Sequence, residues 1–210
     1  MDLEHMLESV KETRSLPDSI ARHIVERLTL GDTGNDTYTY LHLLGLVNRS
    51  GGSRHMQDVK LIEKFLRYTA PREPCDYPDQ TPFQQSMVRK LAVKILGSWL
   101  VIEDYFEEVL FLAQDRADPQ VAIVAIGALA EYGLRYANFA PRVAQVLLDL
   151  IQRGLEDEDM RVEAYSAYMA ALNLLGVPES ERPFGELKIT RDSISWSYMT
   201  QLASLAAKAQ

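Results

Sequence analysis

The sequence predicts an all-α chain: a right-handed α-solenoid (α-α superhelix) of about four helical hairpins, closed by N- and C-terminal capping helices. Three observations predict it. A spacing of turn residues and small residues recurs along the chain. An amphipathic segment precedes each copy. The segment DPQVAIVAIGALAEYG, residues 118–133, is apolar nearly all round, yet it opens on a turn dipeptide and closes on Gly133.

The recurring spacing is clearest at Asp118, Val121, Ala125, Ala128 and Leu129, and returns at Asp157, Met160, Ala164, Ala167 and Tyr168. It recurs less closely at Gln85, Val88, Ala92, Ile95 and Leu96, and a weaker copy starts at Tyr40, Leu43, Leu44 and Gly45. Ala92, Ala125 and Ala164 stand 33 and 39 residues apart, inside the period range of helical repeats. Small residues there let one helix approach the next closely, and the larger residues after them fill the space between layers. A helix between its hairpin partner and two neighbouring repeats buries most of its girth, which accounts for residues 118–133.

In chain order, residues 1–14 read as an N-terminal cap helix and 15–176 as the repeats, all within a single domain of 1–210. PDSIARHIVERLTL leads into NDTYTYLHLLGLV, and RHMQDVKLIEKFLRY into the copy at Gln85, across the loop CDYPDQTP. VIEDYFEEVLFLAQ carries Val101, Tyr105, Phe106, Val109 and Leu112 on one stripe before the third inner helix. APRVAQVLLDLIQRGL precedes the last, with Pro141 suited to a first turn and Asn138 placed to cap it. Asp118 and Asp157 are the expected caps of the inner helices. Residues 177–191 read as a loop. Asp192 is placed to cap a closing helix over 192–208.

The sub-motif D-P-x-V with A-x-x-A-L, and VRKLAVKILG at 88–97, resemble HEAT repeats, the helical-hairpin relatives of armadillo arrays. The resemblance runs over roughly residues 15–176 and is strongest in the last two units. It implies a ladder between turn aspartates and a following arginine, matched by Arg89 and Arg161 and broken by Ala122. Architecture of this kind does not decide function.

Composition narrows the function classes. With 22 Lys+Arg against 30 Asp+Glu the formal charge is −8, which disfavours attraction to phosphate backbones and favours a basic protein partner. The lone Cys75 has no internal disulfide partner, and no Cys/His set has zinc spacing. The N-terminus carries acids rather than the basic start of a signal peptide, and no apolar stretch reaches about 18 residues. A cytoplasmic location is expected.

His5/Glu8, His23/Glu26 and His55/Asp58 have the spacing of imidazole and carboxylate on one helix face. Iron-binding hydroxylases of the resembled architecture use His-Glu dipeptides, which this chain lacks, so ion pairs explain the three pairs and no metal or cofactor is expected. The runs IEDYFEEV and GLEDEDM place acids near helix starts, where the dipole offsets their repulsion; on one edge they would form an acidic docking surface. NRSGGSRH lacks Walker spacing, GDTGND lacks the alternating carboxylates of a calcium loop, and Cys75 lacks a neighbouring His.

The candidate binding surface is the open side of the inner helices. Counting from each turn residue, the sixth, tenth and thirteenth positions are Lys90, Lys94 and Gly97, then Ile123, Gly127 and Ala130, then Val162, Ser166 and Met169. Glu131, Arg135 and Tyr136 border the strip. An apolar floor with a mixed-charge rim suits protein binding, unless a capping segment covers it. The expectation is a non-catalytic protein-binding module, in its narrowest form a bacterial immunity or inhibitor protein that blocks a basic toxic enzyme. Its oligomeric state is left open. The resemblance implies two alternatives: a DNA-binding enzyme like the HEAT-like alkylpurine DNA glycosylases, with Trp99, Tyr132, Tyr165 and Trp196 as aromatics, and a chaperone like the bilin lyases.

Overall fold

The computed structural model describes residues 18–31, 33, 36–49, 55–68, 80–183 and 189–209, and the regular elements among them are all helical. The expected cap helix 1–14, residues 75–79 of the CDYPDQTP loop with Cys75, and His5/Glu8 lie outside the described residues, while residues 80–82 of that stretch open a helix, Gln80–Val93, instead of continuing the loop. The chain divides into two compact units, Met1–Leu100 and Val101–Gln210.

In the first unit, α1 (Asp18–Leu30) is followed by α2 (Thr37–Arg49) and α3 (His55–Glu63), which tightens into a 3-10 turn, Lys64–Arg67. Helix α4 (Gln80–Val93) runs on into a π-helical turn, Lys94–Trp99. Helix α2 packs on α1, α3 and α4, and α4 also packs on the end of α3. Ile24, Leu41, Leu43, Ile62, Ala92, Ile95 and Leu96 are sealed between them. Each large aliphatic contributes about 1.5–3 kcal/mol by leaving water. One polar pair crosses this core: the Asn48 amide donates to Asp58 at 3.0 Å and to the Leu44 carbonyl at 2.9 Å.

In the second unit, a 3-10 turn (Glu103–Tyr105) opens α5 (Phe106–Leu112), followed by α6 (Pro119–Arg135), α7 (Ala140–Glu156), α8 (Arg161–Leu174) and α9 (Trp196–Ala206). Helix α6 packs on α5, α7 and α8. That threefold contact is why residues 118–133 are so apolar: Val121, Ala122, Ala125, Ile126, Ala128, Leu129, Ala130 and Tyr132 are all buried. Helix α7 packs on α8 and on α9.

The caps follow the expectation in part. The Asp118 carboxylate accepts from the Val121 N–H at 3.2 Å with Pro119 in the first turn. Asp157, accepting from the Asp159 N–H at 3.0 Å, instead caps the 3-10 turn Glu158–Met160 and leaves Met160, without a side-chain cap bond, at the start of α8. Asn138 does not cap α7. Phe139 holds that position, makes no side-chain cap bond, and stacks on Phe106 instead, so ring burial sets the entry to the helix. Asp192 does not cap α9 either. It lies in a 3-10 turn, Arg191–Ser193, closed by a capping box with Thr190, and α9 starts at Trp196. Buried Ile189 and Ile194 and the bond from the Ser195 N–H to the Tyr168 hydroxyl (2.8 Å) pin this segment, which delays the helix. As for the expected ladder, Arg89 donates to the Leu66 carbonyl at 2.9 Å, and Arg161 pairs with Glu158 at 2.7 Å.

Candidate functional site

Each unit brings two inner helices side by side with a stripe of each facing solvent. In the second unit the stripe on α6 runs through Ile123, Gly127, Glu131 and Leu134, and that on α8 through Val162, Ser166, Met169 and Asn173. These spacings of three and four residues keep each stripe on one helix face. The Asn173 amide donates to the Glu131 carboxylate at 3.2 Å, so the two stripes lie next to each other. The Asn173 side-chain carbonyl in turn accepts from the Arg182 guanidinium at 3.4 Å.

Ile123, Val162, Ser166 and Met169 are half-buried to exposed, and Gly127 opens on space, with nothing within 4 Å of where a Cβ would stand. Leu134, 51% exposed, extends the strip in a direction the sequence count omits. Two expected members do not belong. Ala130 and, in the first unit, Gly97 are buried, whereas Met169, at the same count, stays on the strip. Helix α9 packs chiefly on α7, so this capping helix is not seated on the α6–α8 strip.

Tyr136 serves another purpose than rimming a groove. Its hydroxyl donates to the Val101 carbonyl at 2.8 Å, and that of Tyr132 donates to the Ile102 carbonyl at 2.7 Å. Val101 has φ 48°, a costly conformation for a β-branched residue, and the two hydroxyls hold the segment there. Arg135 is exposed beside the Tyr136 ring, 5.9 Å from its centroid. Tyr132 is fully buried, so it offers no face for stacking a base.

Burial pushes the Tyr132 phenol well above its ordinary 10.0, with Tyr136, Tyr105 and Asp104 adding to the effect in that order. The folded state then keeps a proton that the unfolded chain loses. This contribution is whole below about pH 10 and declines as pH rises beyond it. Stability to urea is therefore expected to fall above about pH 10, less steeply in Tyr132→Phe, which has no proton to lose. Equal slopes in the two proteins would refute the assignment.

In the first unit Lys90 and Lys94 lie on a stripe with Phe83 and Met87, and α2 presents Tyr38, His42, Gly45 and Arg49 at matching spacings. The two stripes meet at both ends. Tyr38, Phe83 and Met87 help to line an open cleft of about 210 Å³, closed by Thr37, Tyr68, Gln84 and Val88. At the other end Trp99 lies against Gly45, where a Cβ would stand 3.0 Å from the indole and 2.6 Å from Ile95. Glycine at this position is what lets the ring settle on α2.

Three more groups surround that indole. His42 lies with its ring 5.8 Å away, the Arg49 guanidinium 5.5 Å from the ring centroid, and the Lys94 ammonium 5.7 Å from it. The π turn supplies the register, since its i→i+5 bonding brings Lys94 and Trp99 toward one side of the helix. Among the described residues neither Arg49 nor Lys94 has a carboxylate partner.

Sequence reasoning found the two lysines, offered Trp99 only as an aromatic of the DNA-binding alternative, and missed Arg49, Tyr38 and Phe83 as members of this face. A signal existed: with Leu43, Leu44 and Gly45 of the weaker copy aligned to Ile95, Leu96 and Gly97, the same count lands on Tyr38, His42 and Gly45. The acidic runs are partly neutralised. Glu107 forms a two-pronged ion pair with Arg142, and Glu158 is held by Arg161. Among the described residues no group of three or more His, Cys, Asp or Glu side chains is placed to hold a metal, and no helix is long and apolar enough to cross a membrane. No protein-family model, curated protein or solved structure matches the chain.

Proposed function

We propose that the chain is a non-catalytic protein-binding module, its hairpins stacked as in a HEAT-like solenoid, that holds a partner protein along the open faces of its inner helices. The observation that carries this reading is the α6–α8 strip. Ile123, Val162 and Met169 form an apolar floor around Gly127, with Glu131 at one end and the capping helix seated elsewhere. Apolar surface with a polar border is the composition of protein interfaces. The net charge of −8 supports a basic partner and fast encounter with it, as an inhibitor of a basic toxic enzyme would need.

Gly127→Trp tests this without disturbing the core, because the site opens on empty space. A partner recovered by the wild-type chain should bind the variant at least tenfold more weakly, a difference of about 1.4 kcal/mol. Unchanged affinity in both Gly127→Trp and Met169→Glu would remove the strip from the interface. The second reading, a DNA-binding enzyme, draws on the aromatic and cationic cluster at Trp99. A gel shift at low salt separates the two readings, since phosphate contacts are strongest there.

A further inference from the structure

We propose that the paired α2–α4 face of the first unit is a docking groove for an acidic amphipathic helix of a partner protein. The partner's apolar side chains enter the Tyr38–Phe83–Met87 end, and its carboxylates meet Arg49 and Lys94 beside Trp99. This deepens the protein-binding reading above and rests on it.

Charge complementarity selects the occupant. In a chain of net charge −8, two cations sit around one indole with no carboxylate partner among the described residues. The ring's negative face attracts each of them, while their mutual repulsion remains. An incoming carboxylate relieves that repulsion and gains charge-assisted hydrogen bonds from both. Among the described residues this arrangement makes no ion pair of the fold's own.

The other end of the groove specifies the rest of the ligand. Phe83 is 66% exposed and Tyr38 36%, on the rim of a cleft with room for an apolar side chain. Large exposed rings beside a concave site are a protein-contact signature. From Tyr38 to Arg49 the α2 stripe covers about 16 Å, so a helix of about eleven residues spans it. A helix laid between two neighbouring helices presents anchors at spacings of three and four residues, which match the stripes beneath it.

The test uses defined peptides and the intrinsic fluorescence of Trp99. The chain has two tryptophans, and Trp196 is 58% exposed, so Trp196→Phe leaves Trp99 as the single reporter. The probe is a helix-forming peptide of about eleven residues with leucines toward one end and glutamates toward the other, made in both sequence directions. One of the two should shift the Trp99 emission saturably and bind less well as salt rises. Replacing its glutamates by lysines should abolish binding.

Arg49→Gln with Lys94→Gln should weaken binding at least about tenfold. Arg49→Glu with Lys94→Glu should transfer the preference to the lysine peptide, a rescue that loss of folding does not produce. Equal binding of the acidic and basic peptides, unchanged affinity in the Gln pair, or tighter binding of a single-stranded oligonucleotide than of either acidic peptide would each overturn the proposal. A partner protein whose binding is lost on Gly127→Trp but untouched by the Gln pair would leave the protein-binding reading standing and defeat this one alone.

Discussion

Truncating Phe106 to alanine is expected to cost the second unit about 3–5 kcal/mol, the range for deleting a buried ring. Phe106 is 1% exposed. Its ring lies parallel to Phe139 at 4.0 Å between centroids and edge-on to Tyr132 at 5.4 Å, and the Arg142 guanidinium stands 5.5 Å from its centroid. Removing it opens a cavity at the start of α5 and also deprives Phe139 of the partner that orients the entry to α7. Phe106→Leu fills most of the space and should cost distinctly less. Urea denaturation followed by circular dichroism measures both. A loss below about 1 kcal/mol for the alanine variant would mean that the ring cluster is not a stabilising core.

Gly154→Val should be comparably severe, for the opposite reason. A Cβ at position 154 would overlap the Cβ of Ala164 and stand 2.8 Å from the Met160 carbonyl oxygen. Both obstacles are rigid, one a backbone atom and the other the first carbon of a neighbouring helix, so no rotamer change relieves the clash. Helices α7 and α8 would have to separate, costing about 1–3 kcal/mol or more. This outweighs the gain of up to about 1 kcal/mol that replacing a helical glycine otherwise brings. Gly127→Ala is the matched control. With open space around it, that substitution should stabilise by about 0.5–1 kcal/mol. A thermal midpoint that rises in both variants would show that α7 and α8 are not locked together through Gly154.

The Gly154 clash shows how much of the packing was legible. Ala92, Ala125 and Ala164 were read as points of close helix approach from their spacing alone, and all three are completely buried. The cap at Asp118 was legible for the same reason, since a side chain that bonds three residues along depends on local sequence, whereas Asp157 caps the 3-10 turn ahead of α8 rather than the helix itself. Asn138 and Asp192 misled because distant partners, Phe106 for Phe139 and Tyr168 for Ser195, decide where those helices begin. The sixth and tenth repeat positions were correctly read as open. The thirteenth was open only at Met169, since Ala130 and Gly97 are buried.

The cluster at Trp99 was beyond the same reasoning. Arg49 and Trp99 are 50 residues apart in the sequence, and their meeting depends on a missing side chain at Gly45 and on a π turn that alters the register of α4.

The residue pattern by itself determined that this chain is helical, which faces of its helices are buried, and where small residues allow close contact, because each depends on period and side-chain size along one segment. Only the tertiary structure decided that α9 seats on α7, that Tyr136 holds the Val101 segment, and that two cations share one indole. Those outcomes depend on the juxtaposition of atoms far apart along the chain, and packing selects it after the helices have formed.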